Sequence, residues 1–383
     1  MAARTKTAPN PPAPQPASRT TKSRPVSAPP LVVREDWHGF CDLDELPRKA
    51  GVPPAGMAKL LVKELADNAL DAAGACKFGR LKGNGFYVQN QGDIPGGPPA
   101  VAMLFSVGRP QTSSKLYRQA ARGMLGNGWR VLAGAVFATG GRIVVRTAGL
   151  CLHLTPRADG TTAVRERRTK RLLPEGVTRV AVWLGPAITV GPDALDWAAL
   201  ASEIAAARGG KPPPRPSAHH HTPQSFADLL RDVAAGTTTC QVVECFSGLS
   251  GSKASEVCGE LTGPAAGVTP AQAVTLFDRM KAAAGAPGHA SLGRVGHLPN
   301  WGRPRVEDAT FTLSGAEIPA RIEAWARPAR TQGLTVCVNG TPCPAPVSLY
   351  VGKNRDEKNG LIVSGAGCTA GLPARPGGRW RCW

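Results

Sequence analysis

Three polar residues at helical spacing carry the first chemistry to be explained. Glu64, Asn68 and Asp71 stand four and three residues apart, the spacing that stacks side chains in one column of an α-helix. A carboxylate, a carboxamide and a second carboxylate in a column suit metal-assisted phosphate chemistry. Asn68 offers a neutral oxygen able to hold Mg²⁺ against nucleotide phosphates. Glu64, one turn earlier, can accept a proton from an attacking water. Polar helix faces that serve only solubility use the same spacing, so the column takes its meaning from its surroundings.

Those surroundings begin with the helix itself. Pro53 and Pro54 precede it and Gly74 follows, which predicts a helix between them. Ala58, Val62, Leu65, Ala69 and Ala72 recur at intervals of four and three and form one apolar face. Residues 86–90 then read as a short strand, followed by a turn over 91–95. A loop reaches Ser113, Ser114 and Lys115, and Arg122-Gly-Met-Leu-Gly-Asn-Gly128 leads into a predicted helix at 129–137. Gly123, Gly126 and Gly128 permit close backbone approach, and amides at a helix start can hold phosphate. A glycine-rich turn alone is common; its order and spacing after the first helix give it weight.

Residues 64–72, with the pattern Glu-x-x-x-Asn-x-x-Asp-Ala, resemble the first ATP-binding motif of GHKL proteins, especially the ATP-binding subunit of topoisomerase VI. Ser113–Lys115 followed by Arg122–Gly128 resembles that family's flexible lid and glycine box. Glu175-Gly-Val-Thr178, entering a strand at 179–184, resembles its last nucleotide-site motif, usually Gly-Thr. The resemblance implies a two-layer α/β sandwich of the GHKL (Bergerat) type with ATP and Mg²⁺ as ligands. Glu64 would activate the hydrolytic water and Asn68 would coordinate Mg²⁺. The backbone around Gly123, Gly126, Asn127 and Gly128 would cradle the phosphates, and Thr178 would belong to the nucleotide site. Lys115 would either meet phosphate or stand as an exposed loop lysine; Asp71 would brace a neighbouring loop.

One motif departs from the family. Its second motif is Asp-x-Gly-x-Gly, whose aspartate accepts a hydrogen bond from the adenine amino group. Here Asn90 falls at that position and the second glycine is replaced or deleted. A carboxamide oxygen can accept the same bond more weakly. Asp93 is the alternative acceptor if the turn is shifted.

The chain of 383 residues carries 46 Lys and Arg against 27 Asp and Glu, a net charge of +19. That balance favours polyanions. DNA is expected over a membrane, because no long basic amphipathic helix and no run of eighteen apolar residues occurs. The ten cysteines include no Cys-x-x-Cys pair, so reduced thiols in a cytoplasmic protein are expected.

Residues 1–33, with no acid before Glu35, read as a disordered basic tail rich in Pro and Ala. The ATP-binding domain is expected over 34–206 and a linker over 207–223, in which His219–His221 are solvated rather than metal-bound. A small helical domain is expected over 224–302, with helices near 224–234, 252–261 and 270–283. It sits where the ATP-binding subunit of topoisomerase VI carries a helix-two-turns-helix domain, and its 246–254 loop could contact DNA phosphates. Residues 303–383 read as a partial, truncated transducer-like α/β domain, with strands at 309–313, 318–325, 334–338 and 347–351. There Lys353 would be a switch lysine or a surface lysine.

These readings imply an ATP-operated clamp or switch in a DNA transaction. Homodimerisation and a separate DNA-cleaving or effector subunit follow from the same resemblance, since no tyrosine-centred cleavage domain is evident. The alternative is a non-hydrolysing nucleotide sensor or scaffold in a defence or mobile-element system. A chaperone-like ATPase is a third reading.

Overall fold

Period-two alternation builds the sheet that supports the site. In chain order the first part runs α1 (Leu46–Ala50), α2 (Met57–Ala73), β1 (Lys77–Leu81), β2 (Gly85–Gln91), α3 (Gly97–Leu104), α4 (Gly128–Thr139), β3 (Arg142–Thr147), β4 (Leu150–Pro156), β5 (Thr162–Glu166), β6 (Val177–Trp183) and α5 (Asp196–Ala207). The computed structural model describes residues 35–111, 115, 116, 119, 122, 126–169, 173–211, 214–313, 315–328 and 335–342, with the backbone of 348–350, 361–365 and 368–372. The six strands form one antiparallel sheet in the order β1-β2-β6-β3-β4-β5. Phe86, Val88, Ile143, Val145, Leu152, Leu154, Val180 and Val182 alternate along their strands and share one buried face. Leu61, Val62, Leu65 and Ala66 of α2 and Val131, Leu132, Ala135 and Val136 of α4 complete the same core. Each fully buried Leu or Val there contributes about 1.5–3 kcal/mol of transfer free energy.

Helix α2 realises the predicted amphipathic helix. It ends at Gly74, whose left-handed φ of 70° and N–H to Leu70 carbonyl bond stop the helix. The start of α4 falls at Gly128, one residue before the predicted 129.

A second core gathers α6 (Pro223–Asp232), α7 (Thr239–Glu244), α8 (Ser252–Cys258) and α9 (Pro270–Ala283). Phe226, Phe246, Phe277, Leu229, Val243 and Met280 fill it. Capping boxes start three of these helices, at Thr222/Ser225, Thr238/Gln241 and Thr269/Gln272. The sequence reading missed α7, although its Thr-x-x-Gln signature is present.

The linker expected over 207–223 requires correction in its second half. Ser217 caps a 3-10 turn over Ala218–His220. His219 Nε2 lies 2.8 Å from the Ala284 carbonyl oxygen. His221 is only 2% exposed and meets Phe246 edge-on, ring centroids 5.4 Å apart. These rings serve packing because they abut the Thr222 cap of α6, which seats them on the helical core.

The described residues of the C-terminal part are built from strands. β7 (Arg305–Leu313) and β8 (Ala316–Ala324) pair as a two-stranded ribbon, β9 (Cys337–Val338) and β10 (Thr341–Pro342) as a small hairpin, and β11 (Ser348–Tyr350), β12 (Leu361–Gly365) and β13 (Cys368–Leu372) as a third sheet. The strands expected at 309–313, 318–325, 334–338 and 347–351 overlap β7, β8, β9 and β11, and among the described residues no α-helix follows Ala283. Alternation and scattered Gly and Pro favour separate hairpins over a helix-backed sheet. Lys353 lies outside the described residues.

Candidate functional site

Helix α2 presents two polar columns that meet different surroundings. Glu64 and Asn68 are half-buried. The Glu64 carboxylate lies against the first turn of α4: a Cβ added to Gly128 would stand 2.5 Å from Glu64 Oε2 and 3.3 Å from its Cβ. Any side chain at this position would push the carboxylate aside. Gly126 adopts φ 66°, a left-handed turn that glycine makes without strain, and its carbonyl accepts a bond from Arg109 Nη2 at 3.3 Å. Asn127, the N-cap of the 12-residue α4, makes no side-chain capping bond; its Oδ1 accepts instead from Arg130 Nη1 at 3.4 Å. Asn127 thus leaves the positive end of α4 uncapped, and that end lies against Glu64, where a helix start suits an anion. Among the described residues Asn68 has no hydrogen-bond partner for its carboxamide. Gly123 lies outside the described residues.

The second column is closed by ion pairs. Lys63, 4% exposed, places Nζ 2.9 Å from both Glu64 Oε1 and Asp67 Oδ2. Burial alone lowers a lysine pKa, but the two carboxylates outweigh it and hold the ammonium above its ordinary value. Asp67, 1% exposed, also accepts from Thr341 Oγ1 at 2.7 Å and faces Arg122 Nε at 3.8 Å. Asp71 binds Lys115 and lies 3.5 Å from Arg122 Nη1. Burial raises the Asp71 carboxyl, with Lys115 and Arg122 opposing.

Lys115 is half-buried, unlike the exposed loop lysine that was one of its two expectations. It is neither exposed nor facing Glu64; it donates to Asp71 and to the Arg122 carbonyl. Beside it Leu116 packs on the helical core, and Gln119 donates to the Pro214 carbonyl at 3.1 Å. The physical reason is charge: Asp71, partly desolvated at the end of α2, offers a stronger partner than water. Sequence reading missed Lys63, Asp67, Arg122 and Thr341. A Lys-to-Asp pair at i,i+4 among apolar positions was the available signal for the first two.

The third cluster closes the sheet end. Asn90 on β2 faces Thr178 on β6 in register. Asn90 Nδ2 donates to the Gln91 carbonyl at 2.6 Å, which leaves Oδ1 as its acceptor. The buried Thr178 hydroxyl lies 2.8 Å from that of Thr147. Asp93 uses both carboxylate oxygens as a bracket, accepting from Ala148 N at 2.7 Å and Gly176 N at 2.8 Å. The Ala148 and Gly176 amides hold its carboxyl below the usual range. Asp93 thus ties together two turns that the sheet order brings beside it.

No family model and no curated protein matches the chain. Among solved structures, the ATPase region of Saccharomyces cerevisiae topoisomerase II is 15% identical, over 39% of this chain and 43% of that one, with a TM-score of 0.25. A likeness at that score carries no argument, and the chain spans less than half of that structure. The fold stands on its own description. It is a mixed α/β arrangement, a six-stranded antiparallel sheet with helices against it. Among the described residues no helix is long and apolar enough to cross a membrane.

Proposed function

We propose that the sheet and helices of residues 36–207 form a GHKL-type ATP-binding domain. It hydrolyses ATP with Mg²⁺ and acts as a switch in a DNA transaction, similar to the ATP-binding subunit of topoisomerase VI. One observation carries the reading: Glu64 is held against the uncapped first turn of α4 at Gly128, with Asn68 one turn farther along α2.

The residues fit the ligands. Asn68, without another partner among the described residues, would hold Mg²⁺, which when bound neutralises phosphate charge. Amides at Gly126 to Gly128 would receive phosphate oxygens. Glu64, oriented by Lys63, would accept the proton of the attacking water. Asn90 and Thr178 would bound the adenine end. A homodimer, and a separate DNA-cleaving or effector subunit, belong to the same proposal.

A second reading, a non-hydrolysing nucleotide sensor or scaffold, is favoured by the Asn90 site. Its acceptor is neutral, and the nearest carboxylate, Asp93, is engaged by backbone amides. Mg²⁺-dependent ATP hydrolysis by the full chain, beside equilibrium ATP binding, separates the two. Glu64→Ala is expected to bind ATP and to lose about 10²- to 10⁴-fold in turnover. Equal turnover in both proteins with binding intact removes the first reading, and absent binding removes both.

A further inference from the structure

The sheet has a second face, turned away from α2 and α4. Because strand residues alternate, the register fixes which side chains share it. Lys77 is opposite Gln89, Gly79 opposite Tyr87, and Gln89 opposite Arg179. Arg146 is opposite Arg179, Arg142 opposite Trp183, Val144 opposite His153, and His153 opposite Arg165. Five cations, Lys77, Arg142, Arg146, Arg165 and Arg179, thus project from four of the six strands onto one surface. No Asp or Glu occupies an outward position of any strand; Glu166 alternates to the other face. Lys77, Arg142 and Arg165 are exposed or nearly so, and Tyr87, Arg146, His153, Arg179 and Trp183 are half-buried.

The cations are organised as well as numerous. The Arg179 guanidinium lies 3.8 Å from the Tyr87 ring centroid, and that of Arg142 lies 4.3 Å from Trp183. A guanidinium spread on a ring loses rotamer freedom before any ligand arrives and keeps its N–H edge for a phosphate fork. Burial and then the guanidiniums of Arg167, Arg142, Arg146 and Arg165 hold the His153 imidazole below its ordinary value. The register places them there: Arg165 is opposite His153, and Arg142 and Arg146 flank Val144, which is opposite His153 as well.

We propose that this face binds the sugar–phosphate backbone of duplex DNA. A backbone partner follows from five cations without a compensating acid. A duplex follows from the rings: Tyr87 and Trp183 are each covered by a guanidinium, so they offer no vacant platform on which an unpaired base could stack. Six strands at about 4.8 Å spacing give a surface roughly 24 Å wide, enough to span a major groove of about 12 Å with backbone on either side. The face names the DNA-contacting surface behind the function proposed above, yet needs no nucleotide, so its test is independent of ATP turnover.

The test is binding of a 20-base-pair DNA duplex to the full chain without ATP, across a salt series. Arg142→Gln/Arg165→Gln is expected to weaken binding about tenfold or more near 0.1 M salt. It should also flatten the slope of log K against log salt by roughly 2, near 0.9 per phosphate contact. Arg142→Lys/Arg165→Lys, which keeps the charge, should retain most of the slope, and thermal melting checks that each variant folds. Unchanged duplex binding in the Gln variant overturns the proposal, as does tighter binding of single-stranded DNA of equal length or equal loss on phosphatidylserine vesicles. ATP hydrolysis intact in a variant that loses duplex binding keeps the two proposals distinct.

Discussion

The two polar columns of α2 differ in what completes them. Lys63, Asp67 and Asp71 find ionic partners within the protein, through one another, Arg122, Lys115 and Thr341, although Asp67 Oδ1 and Arg122 Nε, 3.8 Å apart, make no hydrogen bond. Glu64 and Asn68, on the same helix, are half-buried beside a helix start left uncapped by its own side chains. One column holds the chain together, and the other leaves polar capacity for a ligand. Polar residues at helical spacing are therefore not equivalent: Lys63 and Asp67 are buried among internal partners, whereas Glu64 and Asn68 are half-buried where the ligand site is proposed.

The comparison breaks most visibly at Asp67. Asp67→Ala removes a buried carboxylate from between Lys63 and Arg122 and leaves Lys63 with Glu64 alone and Arg122 with Asp71 alone as counter-charge. Stability should fall by about 3–5 kcal/mol, read from denaturant unfolding, with ATP binding preserved under native conditions. A loss below about 1 kcal/mol would dissolve the division between columns.

Thr341→Val tests the link between α2 and the β9–β10 hairpin. It removes one bond to a charged acceptor, worth about 1.5–3 kcal/mol, and hydrogen exchange should accelerate around Cys337–Pro342. Exchange that stays the same there would show the contact contributes nothing.

Gly128→Ala sharpens the other column. The new Cβ meets the far end of Glu64, a flexible carboxylate, so stability should change by less than about 1 kcal/mol. ATP turnover should nevertheless fall, because Glu64 must leave its place. Turnover at the level of the unmodified chain would separate Gly128 from the site.

The smallest effect concerns Asp93. Its carboxyl is depressed by backbone bonds, so the stability it adds is present above the ordinary carboxylate range and is lost as pH falls through its folded value. The carboxyl carbon resonance should titrate below that of an unstructured aspartate, and a midpoint above it would remove the bracket.

Much of this was readable from local sequence. The apolar intervals of α2, its proline start and Gly74 stop, and the column of Glu64 and Asn68 all depend on residues within a few positions of one another. The same is true of β2, β6 and three of the four helices of the second core. Misreadings arose where local signals were overridden. His219–His221 looked like a solvated run, yet His221 packs on Phe246 and His219 lies against the Ala284 carbonyl beside the Thr222 cap. Lys115 looked free in a polar loop, but Asp71 claims it.

The sequence by itself therefore determined which residues α2 presents and in what order, because helical geometry is fixed by backbone hydrogen bonds four residues apart. Tertiary structure decided which of them remain available. Thr341 reaches Asp67 across 274 residues, Gly128 closes on Glu64, and Asp93 joins turns 55 and 83 residues away. No local propensity encodes such pairings; they follow from strand order and from the cost of leaving a buried charge alone.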